Sequence, residues 1–290
     1  MRISPNITDY TLPDGPSGLP LWLRHVAETV DDSAIDTLWV ADHLLQADPT
    51  STPDAEMLEA YTTLGFLAAH TRRVRLGTMV SAATFRAPAL LVKAITTLDV
   101  LAAGRTWLGV GAGHSEDEGR AMGVPLPPMA ERFEHVEDVL RLAAQMWRGD
   151  DAPFHGHHAH LERPIGNPLP TRRPFVLIGG MGERKTLRLV ARYADACNLF
   201  DIPDGGRTVR HKLDVLRRHC EAEGRDDAAI EKTISTRLSP GESADAFATR
   251  CATFGGWGIE HVVCITPGAW DDERLAVLSA AAKALARLPD

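Results

Sequence analysis

Residues Leu108–His114 read LGVGAGH, and this stretch separates two α/β architectures. Glycines at alternate positions behind an apolar run mark a strand end whose backbone must come close to another group. A dinucleotide-binding turn requires G-x-G-x-x-G in the first strand–helix turn of an open sheet, with an acidic residue at a following strand end. Gly109 and Gly111 take the first two glycine places, but His114 stands at the third. The stretch also ends the fourth strand-like run of the chain, whereas the fingerprint belongs to the first. An open, nicotinamide-binding sheet is therefore disfavoured.

Outward from Leu108, short β-rich runs alternate with longer helical runs along the whole chain. Strands are expected over Arg2–Ile7, Thr37–Ala41, Val74–Val80, Thr106–Gly111, Phe175–Gly179, Asp195–Phe200, Lys232–Arg237 and His261–Thr266. Helices are expected over Leu21–Val30, Ala55–Ala69, Pro88–Ala102, Ala130–Trp147, Glu183–Tyr193, Val209–Glu223, Ser243–Phe254 and Asp271–Ala286. Several strands are apolar throughout, as strands covered on both faces must be. Phe133, Val136, Leu140, Ala143 and Trp147 recur every three or four residues and form one buried helix face. Ser243 suits an N-cap, and Gly104 follows Leu101 where a helix ends. Strand–helix pairs in series over 290 residues predict a single (β/α)8 TIM barrel spanning residues 1–290.

Composition narrows the function classes. With 44% hydrophobic residues the chain can bury a large core, so a disordered protein is excluded. A formal charge of −8 and scattered arginines argue against binding nucleic acid or an acidic membrane. No apolar run approaches a membrane span and Met1–Ser4 opens no signal-peptide core, so a soluble cytoplasmic protein is expected. Cys197, Cys220, Cys251 and Cys264 have no CxxC spacing and are expected to be buried thiols, without disulfide or zinc.

Two segments break the rhythm. Thr8–Pro20, rich in Pro and Gly, follows the first strand, where barrel loops cover the C-terminal mouth as a lid would. Asp150–Arg173 forms an insertion before the fifth strand and opens with His155-Gly156-His157-His158-Ala159-His160. On a strand, His158 and His160 share one face and His155 and His157 the other, leaving no convergent third ligand. A surface hairpin without metal is expected, and both segments are expected to shape the pocket. Gly179-Gly180-Met181-Gly182 end a strand and open a helix, so their amides and the positive helix end suit a single phosphate, with Arg184 and Lys185 close by. The G-K-[ST] ending of a P-loop is absent, as are G-x-S-x-G and H-E-x-x-H.

Five stretches taken together resemble the bacterial-luciferase-like flavin and deazaflavin oxidoreductases: VADHL (Val40–Leu44), VRLGTMVSAATFRAPALL (Val74–Leu91), LDVLAAGRTWLGVGAG (Leu98–Gly113), PPMAERFEHVEDVL (Pro127–Leu140) and IGGMGERKTLRLVARYADACN (Ile178–Asn198). The likeness runs in order over nearly the whole chain and leans to the branch that uses the deazaflavin coenzyme F420. It implies a (β/α)8 barrel, commonly a homodimer, with an insertion at about residues 150–173.

The resemblance also implies roles. Asp42 and His43 would sit beside the cofactor ring, with His43 as catalytic proton donor or hydrogen-bond partner of the substrate. Met79-Val80 matches the position where relatives carry a non-proline cis peptide that presses one face of the ring. Gly111, Ala112 and Gly113 would pass close to the ring or ribityl chain, where a larger side chain would clash, and His114 would face the substrate. Gly179, Gly180 and Met181 would meet the tail and phosphate, with Arg184 nearby; Arg86 is a less direct neighbour. Sugar-phosphate dehydrogenases of this kind have a tryptophan shortly after the Asp-His pair and an acidic residue after the glycine strand. Here Ala47 and His114 stand there, which weighs against glucose-6-phosphate.

The activity implied is hydride transfer between the deazaflavin C5 and an unsaturated, carbonyl or alcohol small molecule. The alternative is an FMN-dependent monooxygenase fed reduced flavin by a partner reductase. A third reading is a flavin-binding protein without turnover.

Overall fold

The computed structural model describes residues 1–48 and 51–286. The expected domain span of 1–290 thus includes residues outside the description. In chain order the strands are β1 (Arg2–Ile7), β2 (Thr37–Val40), β3 (Arg75–Thr78), β4 (Ser81–Ala82), β5 (Thr106–Gly111), β6 (Phe154–His155), β7 (His160–Leu161), β8 (Phe175–Gly179), β9 (Ala196–Phe200), β10 (Glu231–Arg237) and β11 (His261–Ile265). The helices are α1 (Leu19–Asp31), α2 (Ala60–Ala69), α3 (Pro88–Leu101), α4 (Glu116–Met122), α5 (Met129–Trp147), α6 (Thr186–Tyr193), α7 (Arg207–Glu223), α8 (Ala244–Gly255) and α9 (Asp272–Leu285). Strands β1, β2, β3, β5, β8, β9, β10 and β11 pair in parallel, and β3 bonding β5 closes the cylinder. The predicted (β/α)8 barrel is the observed architecture.

Strand alternation divides the core in two. Outward residues such as Ile3, Leu38, Leu108, Ile178 and Val262 pack under the helices. Inside the barrel, Trp39, Trp107, Leu177, Ala196 and Val263 form a separate cluster. At the N-terminal end Ser4 Oγ lies 2.5 Å from His261 Nε2, whose Nδ1 lies 2.9 Å from Glu231. A serine–histidine–carboxylate series invites a hydrolase reading, but Ser4 and His261 are fully buried. The group seals the barrel floor and ties Arg2 to Glu231.

Differences from the expected elements have local causes. Helix α2 starts at Ala60, five residues late, because the Glu59 carboxylate caps it by accepting from the Thr62 amide. Helix α4 was not expected at all; Ser115 caps it and its first turn is acidic. Strand β3 stops at Thr78, where the Met79–Val80 peptide is cis, and parallel pairing with β5 resumes in β4. The insertion forms the antiparallel β6–β7 hairpin, pinned by buried Asp138, which accepts the amides of His157, His158 and Ala159. Its histidines are dispersed: His158 bonds Glu134 at 2.8 Å and stacks on His135. Among the described residues no group of three or more His, Cys, Asp or Glu could hold a metal ion, and no helix is long and apolar enough to cross a membrane. The four cysteines are buried and free.

The segment Thr78–Val80 folds inward across β5, so Thr78 Oγ donates to the Gly109 carbonyl at 2.9 Å. A Cβ on Gly109 would overlap the Thr78 carbonyl oxygen, a backbone atom that cannot step aside. Gly109→Ala should therefore destabilise the fold by about 1–3 kcal/mol or more, the range for an overpacked core. Urea unfolding measures this; a midpoint equal to wild type would contradict the close seating of β3 on β5.

Candidate active site

The C-terminal ends of the barrel strands surround a cavity of about 1120 Å³. That is the face on which barrel enzymes carry their chemistry. Asp42, His43, Met79, Val80, Gly111, Ala112, Gly113, His114, Gly179 and Gly180 all border it. Ala47 borders it as well, so the small side chain widens the mouth next to His43.

Val80 forms the raised centre of the floor. A Cβ on Gly111 would stand 3.0 Å from Val80 Cγ2, and one on Gly179 would stand 3.0 Å and 3.1 Å from its two methyls. Gly109 and Gly111 of LGVGAGH thus make room for Val80, a protein side chain, while Gly111 also borders the cavity. Gly113 has φ of +72°, which a side chain rarely adopts, and a Cβ there would press on Ala82 and Leu126.

Asp42 is buried and does not act alone. Arg86 grips both carboxylate oxygens, at 2.6 and 3.0 Å, bonds Glu59 as well, and lies over the Tyr61 ring. A paired, fork-shaped contact of this kind fixes the loop after β2. Arg86 therefore shapes the site through Asp42, and it does not border the cavity.

His43 meets a carboxylate that the expected elements did not include. Glu118, from α4, lies with Oε2 2.8 Å from His43 Nδ1, while its Oε1 accepts the amides of Leu44 and Leu45. Its side chain is only 3% exposed, and that of His43 22%. Burial alone would raise the Glu118 carboxyl; the His43 and Leu44 hydrogen bonds outweigh it and hold the group below its ordinary value. His114 stands edge-on to His43, ring centres 5.5 Å apart. Burial, aided by the neighbouring His43, lowers His114 against the opposite pull of Glu118.

At the β8–α6 junction Gly179, Gly180, Gly182 and Thr186 border the cavity. Two residues expected there do not. Met181 turns its sulfur to the Phe200 amide at 3.4 Å, and Arg184 lines a separate surface groove with Lys185 and Arg188. The helix begins at Thr186, three residues later than expected, which carries Arg184 out of the mouth. The two irregular segments also contribute less than expected: no residue of 150–173 borders the cavity, and from Thr8–Pro20 only Thr8 does. The insertion instead packs on α3 and α5, where Asp99 accepts the Arg172 amide and Asp138 holds the hairpin.

Sequence reading missed Glu118, Asn198 and Ser235. Asn198 donates to Thr233 and accepts from Ser235, so β9 and β10 present a preset polar edge to the cavity. These two lie in the C-terminal halves of expected strands. Glu118 had its own signal: Ser115-Glu116-Asp117-Glu118 has the Ser-x-x-Glu spacing of a helix start.

Comparison with known proteins agrees with the barrel fold. An F420-dependent glucose-6-phosphate dehydrogenase of Kineococcus radiotolerans is 32% identical over 75% of this chain, but the match spans only 63% of that relative. Among solved structures, an F420-dependent secondary alcohol dehydrogenase with an F420-acetone adduct superposes with a TM-score of 0.84 over 98% of each chain, at 16% identity. A monooxygenase from Streptomyces bottropensis gives 0.79 over 99% of each, at 19% identity. At such identities these two likenesses concern the fold alone. The luciferase-like monooxygenase family model matches residues 22–287, and the chain belongs to that family.

Proposed function

We propose that the protein is an F420-dependent oxidoreductase that moves hydride between the deazaflavin and a small alcohol, carbonyl or unsaturated compound. The observation that carries this reading is that His43, the Val80 floor and the glycine-rich β8–α6 junction border one cavity, in a chain whose curated relatives include several F420-dependent dehydrogenases. The group fits the site. A volume of about 1120 Å³ exceeds the roughly 300–1,000 Å³ of ordinary ligand pockets and leaves room for a tricyclic ring, its tail and a small substrate.

When bound, the deazaflavin supplies hydride chemistry at its C5. The chain does the rest. Val80 supports one face of a flat ring and leaves the other to the substrate. Gly179, Gly180, Gly182 and the Thr186 hydroxyl receive the anionic tail at the start of α6, where backbone amides and the helix end favour negative charge. His43 exchanges a proton with the substrate oxygen, since an imidazole changes charge close to neutral pH. Asn198 and Ser235 offer hydrogen bonds from the far side of the mouth. Ala47 and His114 stand where the sugar-phosphate enzymes carry aromatic and acidic groups, which weighs against glucose-6-phosphate as the substrate. The protein acts in the cytoplasm as a homodimer.

Fluorescence-quenching titration with F420 and with FMN tests the cofactor. Micromolar binding of F420 and much weaker binding of FMN is expected; the reverse order would turn the reading to the FMN-dependent monooxygenase. With F420 bound and simple secondary alcohols as donors, His43→Ala should lower kcat by about 10²–10⁴, the contribution of positioned proton transfer. Cofactor affinity should change little. Wild-type turnover in this variant would remove His43 from the chemistry.

A further inference from the structure

An imidazole offers two nitrogens, and which of them carries the proton decides what it can do at a site. In His43, Nδ1 lies 2.8 Å from Glu118 Oε2, while Nε2 has no hydrogen-bond partner among the described residues and the ring borders the cavity. The second oxygen of Glu118 is committed to the Leu44 and Leu45 amides. One buried carboxylate therefore grips the His43 ring and the backbone just after it. The carboxyl sits below its ordinary value, so it is ionised near neutral pH. An ionised carboxylate only accepts hydrogen bonds, so Nδ1 must donate.

We propose that Glu118, reaching in from α4, is a positioning residue that holds the proton of neutral His43 on Nδ1 and so presents Nε2 to the cavity as the atom that exchanges a proton with the substrate. The use of this device rests on the hydride-transfer reading above; its test does not. His114 complements it. Lowered chiefly by burial, it borders the cavity as a neutral hydrogen-bonding group. The two adjacent imidazoles thus have different duties.

A purely structural Glu118 would only brace the loop after β2, and one substitution separates the roles. In Glu118→Gln the amide oxygen must stay with the Leu44 and Leu45 amides, because the NH2 group cannot accept from them. The NH2 group is then turned towards His43 Nδ1, which must become the acceptor. The loop keeps its brace while the proton moves to Nε2.

Long-range ¹⁵N–¹H NMR on histidine-labelled protein without cofactor reads the tautomer, with the His43 signals assigned by their loss in His43→Ala. Wild type is expected to hold neutral His43 as the Nδ1–H form, and Glu118→Gln as the Nε2–H form. An Nε2–H wild type overturns the proposal even if the variant fails to fold, and so does an unchanged tautomer in a folded variant. With F420 and 2-propanol as probe alcohol, Glu118→Gln should lower kcat by about 10² while KM moves less than about threefold. Failure of F420 to bind would count against the proposed function and leave the tautomer result standing.

Discussion

Val80 occupies the centre of the barrel mouth only because β5 and β8 withdraw their side chains beneath it. Gly109, Gly111 and Gly179 all face Val80, each with a hypothetical Cβ within 3.3 Å of one of its methyls. Gly109 and Gly111 are two apart, which is the spacing of successive inward positions on one strand. The spacing in LGVGAGH therefore follows from Val80, which lies just after β3 and about thirty residues earlier in the chain. Because β3 stops at Thr78 and pairing resumes at Ser81, the residues between them turn into the lumen. The result is a convex apolar floor inside a polar rim. A flat ring can lie on such a floor with one face covered.

The rim depends on buried carboxylates, and each is committed to a partner. Asp42 is held by Arg86, and Glu118 by His43 and two amides. Removing one partner of a buried pair of this type costs about 3–5 kcal/mol, because the remaining charge stays out of water. These contacts tie the loop after β2 to the segments that follow β4 and β5. The rest of the lining combines imidazoles, hydroxyls, glycines and apolar side chains with the ion pairs Asp48–Arg237 and Asp201–Arg250.

Much of this was legible beforehand because barrel strands announce themselves by apolar runs bounded by glycine and proline. The eight barrel strands lie within two residues of their expected limits, and Ser243 caps its helix as expected. The misses concern tertiary geometry. Helix α4 is short and its inward face small, so periodicity does not reveal it, although its cap spacing does. Glu118 points to a loop seventy-odd positions earlier, which no local pattern encodes. Arg184 is adjacent in sequence to the glycine loop, but the late start of α6 turns it to the surface. The insertion has the length of a pocket loop, yet Asp138 binds it to α5 on the outside of the barrel.

The most direct measurement is a crystal structure of the protein with F420. The expected result is electron density for the tricyclic ring against the Val80 methyls, its tail at Gly179–Gly182 and His43 at the open face. A ring bound elsewhere on the molecule, or a mouth filled by the chain when saturating cofactor is present, would contradict a site built on that floor.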